Sequence, residues 1–103
     1  MVLQRLQKWY ASQCDGDWEH GNGIEIGTLD NPGWSVKINL ADTELEKATY
    51  ADLQEPLKER AFEDADRWLL CRVRDGVWEG VGDETKLERI LQEFVSWAEN
   101  AGS

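Results

Sequence analysis

Nine consecutive residues, Cys14 to Asn22, bring together side chains that could do chemistry: a thiol, three carboxylates, an indole and the single histidine. Three chemistries compete for them. Asp15, Asp17 and Glu19 copy the one-three-five ligand spacing of a calcium-binding loop. The glycine required at its sixth position is His20, however, and the bidentate acid required at its twelfth is Ile26. A transition-metal site built on Cys14, Asp17 and His20 would need a further His or Cys, and only the distant Cys71 exists. Cys14 could act as a nucleophile with His20 as its base, yet nothing in the pattern orients the imidazole. Gly21, Gly23 and Gly27 miss the dinucleotide-binding spacing by one residue and precede a strand instead of following one. No catalytic residue, cofactor site or metal site is assigned.

The remaining chemistry is recognition. Trp18 lies between Asp17 and Glu19 outside any periodic pattern, and an aromatic ring among acids is a common interface anchor for a basic protein partner. Asp15, Asp17, Trp18, Glu19 and His20 therefore form the candidate binding set, joined by Asp30 and Asn31 in the turn that follows. The same block can be read structurally, with Asp15 or Asp17 capping backbone amides and Trp18 folded back on the core. Contacts would then fall to Glu44–Glu46 or to the acidic run Phe62–Asp66.

The elements that must position this block are legible in part. Leu3, Leu6 and Tyr10, flanked by Val2 and Trp9, predict an amphipathic helix over residues 2–13, closing near Gly16. Ile24 and Ile26, then Trp34, Val36, Ile38 and Leu40, alternate with polar or small residues and predict two strands with one apolar face. Asp30-Asn31-Pro32-Gly33 between them suits a tight reversal. Residues 42–66 are ambiguous: a helical turn after Thr43 and then an edge strand, or a short helix broken at Pro56. Asp75-Gly76 between two β-rich runs predicts a hairpin. Thr85-Lys86-Leu87-Glu88 fits a capping box ahead of a helix whose apolar stripe is Leu87, Ile90, Leu91, Phe94, Trp97 and Ala98. The expected class is α+β: one antiparallel sheet of about four to six strands, with an N-terminal and a C-terminal helix packed on it.

The 103 residues make one domain, 1–103, with 41% hydrophobic and 31% charged residues as in ordinary globular chains. No apolar run is long enough to span a membrane. The first residues lack the order of a secretory signal, and two isolated cysteines suit a reducing cytoplasm. Twenty-one acids against eleven bases leave a net charge of −10. Such a chain repels nucleic acid and anionic lipid and attracts a basic partner. Six tryptophans could stack on bases, but close basic pairs such as Arg72 and Arg74 are few, and a groove for single strands needs a positive track.

The run WYASQCDGDWEHGNGIEIGTLDNPGWSVKINL resembles the immunity protein 53 family of bacterial polymorphic toxin systems. The Trp68 strand with Cys71, the spacing of Trp78, Gly80 and Gly82, and the final helix with Trp97 fit the same pattern. The resemblance extends over nearly the whole chain and is weakest between Leu45 and Asp66. It implies a cytoplasmic inhibitor that binds the C-terminal domain of a cognate toxin and neutralises it by occlusion. The −10 charge adds the expectation that the toxin surface is basic, as in a nuclease. No cofactor is expected, and the chain should be a monomer or weak dimer. The competing expectation is a small thiol-dependent or sulfurtransferase-like enzyme using Cys14.

Overall fold

The computed structural model describes residues 1–55 and 67–101. Helix α1 spans Val2–Gln13 and a single helical turn, α2, spans Trp18–Gly21. Strands β1 (Ile24–Leu29), β2 (Gly33–Asn39), β3 (Leu53–Glu55), β4 (Leu69–Arg74) and β5 (Val77–Gly82) precede helix α3, Leu87–Ala101. The five strands form one antiparallel sheet in the order β1-β2-β5-β4-β3, so β1 and β3 are its edges among the described residues. This is the α+β arrangement expected. Pro56 and the acidic run Phe62–Asp66 lie outside the described residues.

Alternation sets the two faces. Val36 and Ile38 of β2, Trp78 of β5 and Leu69 and Cys71 of β4 share one face and are fully buried, beneath Ile90, Leu91, Phe94 and Val95 of α3. On the other face Glu25, Lys37, Glu79 and Arg72 stand in one cross-strand row of alternating sign, closed by an Arg72–Glu79 ion pair at 3.7 Å. Opposite charges placed directly across a ladder support register. The β4–β5 turn is the reversal expected: Asp75 and Gly76 have φ of 53° and 77°, the two positive values a tight hairpin of matching twist requires.

The glycines of β5 are explained by close approach. A Cβ at Gly80 would collide with Ile90 Cγ2 and stand 2.7 Å and 2.9 Å from carbons of the Trp78 ring. Gly80 thus lets α3 settle on the sheet and lets Trp78 lie over its own strand. Gly33 is similar: its φ is not positive, but a Cβ there would meet the Gly82 carbonyl oxygen. Gly80→Ala should lower stability by about 1–3 kcal/mol, the usual range for overpacking; urea unfolding checks this, and an unchanged midpoint would mean that α3 can shift freely.

Three expectations need correction. The buried stripe of α1 is Val2, Leu6 and Trp9, whereas Leu3 and Tyr10 are exposed. The cause is that α1 packs mainly on α3, where Trp9 meets Phe94 edge-to-face at 4.9 Å, and only Leu6 serves both possible stripes. Second, Ile26 of β1 is 46% exposed, because the helices cover the centre of the sheet and leave its first edge open. Third, the Thr85 hydroxyl does not cap α3. It donates to Asp83, and the first helical bond runs from the Ile90 amide to the Lys86 carbonyl at 2.8 Å.

Over its described residues, 42–55, the ambiguous segment follows the first of its two alternatives. Turns follow Thr43, with the Glu46 amide on the Thr43 carbonyl and the Ala48 amide on the Leu45 carbonyl, and edge strand β3 comes next. What holds this irregular stretch is a set of indole N–H groups. Trp18 donates to the Ala41 carbonyl at 2.8 Å, Trp9 to Glu44 at 3.0 Å and Trp97 to the Thr49 carbonyl at 3.0 Å. Leu40 and Leu45 are buried beneath it.

Candidate functional site

The corner between α1 and β1 is built by two carboxylates that accept the free backbone amides of Asp15 to Trp18. Asp15 Oδ1 accepts the amides of Asp17 and Trp18, both at 2.9 Å. The Glu19 carboxylate reaches back to the amides of Asp15 at 3.0 Å and Gly16 at 2.9 Å. This is the reciprocal logic of a capping box, in which free amides at the start of a helical turn find side-chain oxygens. Gly16, at φ +99°, supplies the left-handed residue that turns the chain between α1 and α2.

Both carboxyls are held below their ordinary range. For Asp15 the causes are the amides of Trp18 and then Asp17. For Glu19 the leading cause is its own backbone amide; partial desolvation opposes this, and the Asp15 and Gly16 amides add to it. A carboxylate with a depressed folded pKa stabilises the fold above its unfolded pKa, near 4, and loses that contribution as pH falls through the folded value. Asp15→Ala should therefore melt below the wild type at pH 7, with the gap narrowing as the pH falls from about 5 toward 3. Melting curves across that range check the expectation; a gap constant in pH would mean the Asp15 charge is not what holds the corner.

Trp18 is the residue whose placement differs most from its role as an exposed anchor. It begins α2, is 5% exposed and faces inward, edge-to-face with Trp9 at 6.1 Å and Tyr10 at 6.0 Å. The carboxylate-capped turn aims the ring into the core, where it closes the end of α1. From this corner Asp17 and His20 present exposed side chains, while Asp15 and Glu19 present only what their amide contacts leave free. His20 borders an open groove of about 430 Å³ with Glu25, Lys37 and Asn39.

Asp30 and Asn31 are exposed, but they are not beside this corner. They sit past Leu29 at the far end of β1, while the corner lies before Ile24. Six extended residues separate them by about 20 Å. The candidate set is thus two acidic ends of one edge strand, not one cluster.

The thiols fall in different settings. The exposed Cys14 donates its S–H to the Tyr10 carbonyl at 3.3 Å and takes no part in the groove that His20 lines. Cys71 is buried in β4, and burial pushes its pKa up to about 12. Among the described residues no group of three or more His, Cys, Asp or Glu is placed to share a metal ion. No helix among them is long and apolar enough to cross a membrane.

Sequence reasoning missed Asp83, the only buried charged side chain among the described residues, at 1% exposure. Its carboxylate accepts the Trp68 amide at 2.6 Å and the Thr85 amide at 2.8 Å, and it pairs with Lys86 at 3.2 Å. Burial raises its pKa, but the Thr85 hydroxyl and amide, the Trp68 amide and the Lys86 ammonium outweigh that and hold it far below the usual range. It ties the start of β4, the end of β5 and the start of α3 together. A signal was present in the sequence, an acid two residues before Thr85, but the capping-box spacing of Thr85 and Glu88 drew the reading past it.

The fold and corner describe a small α+β domain whose acidic features belong to its surface and whose aromatic rings are largely interior. A family model, immunity protein 53, matches residues 3–99, and the chain belongs to that family. No curated protein and no solved structure matches it. Family membership supports an immunity role and implies binding to a cognate toxin.

Proposed function

We propose that this protein is a cytoplasmic immunity protein that binds the toxic C-terminal domain of a cognate polymorphic toxin and neutralises it by occlusion. The observation that carries the reading is the match to an immunity family along almost the full chain. The −10 charge adds that the toxin presents a basic surface, such as the substrate cleft of a nuclease. Asp17 and His20 at the corner, with Asp30 and Asn31 at the hairpin tip, are the exposed contacts. Asp15 and Glu19 act chiefly by preorganising the turn that displays them, and Trp18 supports that turn from within.

The test is co-expression with the toxin domain encoded beside this gene, scoring cell survival and recovery of a complex. Survival with a one-to-one complex supports the reading. Survival that Cys14→Ser abolishes, with the fold intact, would favour a thiol-dependent activity. Cell death with no complex would overturn the immunity role.

A further inference from the structure

The open edge of β1 has three features that converge on one use. The first is backbone. Because the Asn39 amide donates to the Gly23 carbonyl and the Leu40 amide to the Gly76 carbonyl, the register makes Glu25, Gly27 and Leu29 the residues of β1 that bond to β2. The N–H and C=O groups of Ile24, Ile26 and Thr28 then point outward, and no described residue pairs with them. Natural edges are usually blunted by lysine, proline or a bulge, and β1 carries no lysine or proline.

The second feature is apolar. Leu6 and Tyr10 of α1 and Ile24 of β1 line a groove of about 400 Å³ beside this edge. Tyr10 is 37% exposed, and Ile26 continues the same face of β1. The third is charge. The strand runs from the Asp15–Glu19 corner to Asp30, with Glu25 on its outer face across from Lys37 of β2.

We infer that the β1 edge is where an extended segment of the toxin docks by strand addition. The inference rests on the immunity reading and names the surface it uses. Residues of the added strand opposite Ile24 and Ile26 would be apolar and enter the groove beside Tyr10. Their alternates would be basic and face Glu25. In this mode main-chain bonds supply affinity and alternate side chains supply specificity. A second copy of this chain is a poorer occupant, because it would bring another ten net negative charges to the same edge.

The experiment measures binding of a catalytically inactive form of the toxin domain to the wild type, Ile26→Pro and Ile26→Lys. Proline removes an outward N–H that the β1–β2 ladder does not use, and lysine blocks the edge with no backbone change. Both variants should bind at least about tenfold more weakly while melting cooperatively. Should the proline variant fail to fold, the lysine variant alone decides. Binding within about threefold of wild type would overturn the β1 assignment and leave the immunity role intact. A wild-type dimer that dissociates on Ile26→Lys would also overturn it, by giving the edge to a second copy. Failure of the wild type to bind at all would overturn the immunity role, and this inference with it.

Discussion

Trp18→Ala is expected to destabilise the protein by about 3–5 kcal/mol, the range for emptying a buried aromatic site. The ring is 5% exposed, packs on Trp9 and Tyr10, and donates its N–H to the Ala41 carbonyl. Alanine removes the filling of the α1–β1 corner and one of the three indole tethers on the segment from Ala41 to Thr49. The melting temperature should fall by roughly 12 °C or more. Trp18→Phe should recover much of this by restoring a ring, but not the hydrogen bond. A buried support loses stability and affinity together, whereas an exposed anchor loses affinity alone. Thermal melts of both variants, beside their toxin affinities, separate the two. Trp18→Ala with wild-type stability and faster toxin release would return the residue to the interface.

Asp83→Ala should cost about 2–4 kcal/mol, because it removes the buried acceptor of the part-buried Trp68 and Thr85 amides and the ion-pair partner of Lys86. Asp83→Asn, which keeps an accepting oxygen, should lose less. The sign with pH follows from the depressed pKa. The contribution is complete above the unfolded value near 4 and is lost only as pH falls toward the much lower folded value. Wild type and Asp83→Ala should therefore still differ in urea midpoint at about pH 4. Equal midpoints at pH 7 would show that β4, β5 and α3 meet without this carboxylate.

The exposed ion pairs are expected to matter far less. Arg5 meets Glu99 with two hydrogen bonds between α1 and α3, and Arg89 bridges Glu55 of β3 and Glu93. Solvent screens such pairs, and holding two long side chains in one geometry offsets much of their attraction.

How much was legible follows from the range of the forces involved. The β4–β5 hairpin could be read because Asp75-Gly76 states its turn in two adjacent residues. The stripe of α3 could be read because four of its six residues, Ile90, Leu91, Phe94 and Ala98, are buried and the other two pack against them. α1 carries two overlapping stripes, and only its packing on α3 selects Val2, Leu6 and Trp9 over Leu3 and Tyr10. Periodicity identified the apolar side of β1 but could not reveal that β1 is an edge, which leaves Ile26 of that apolar side 46% exposed. The turns after Thr43 depend on indoles from α1, α2 and α3, which are distant in sequence and leave no local pattern.

The candidate site was legible as a block but not as an arrangement. The residues between Cys14 and His20 stood out by composition, and the capping roles of Asp15 and Glu19 suit their short spacing. That Asp30 and Asn31 lie at the opposite end of β1 follows only from the strand length between them. Occlusion of a toxin active site leaves no motif, because recognition depends on surface shape and charge and not on a fixed ligand geometry.

The central claim, neutralisation by stoichiometric binding, is tested most directly by titrating the activity of the purified toxin domain with this protein at concentrations well above the dissociation constant. Occlusion predicts that activity falls linearly and reaches zero at one equivalent. Inactivation by a small fraction of an equivalent, or full activity at a large excess, would contradict it.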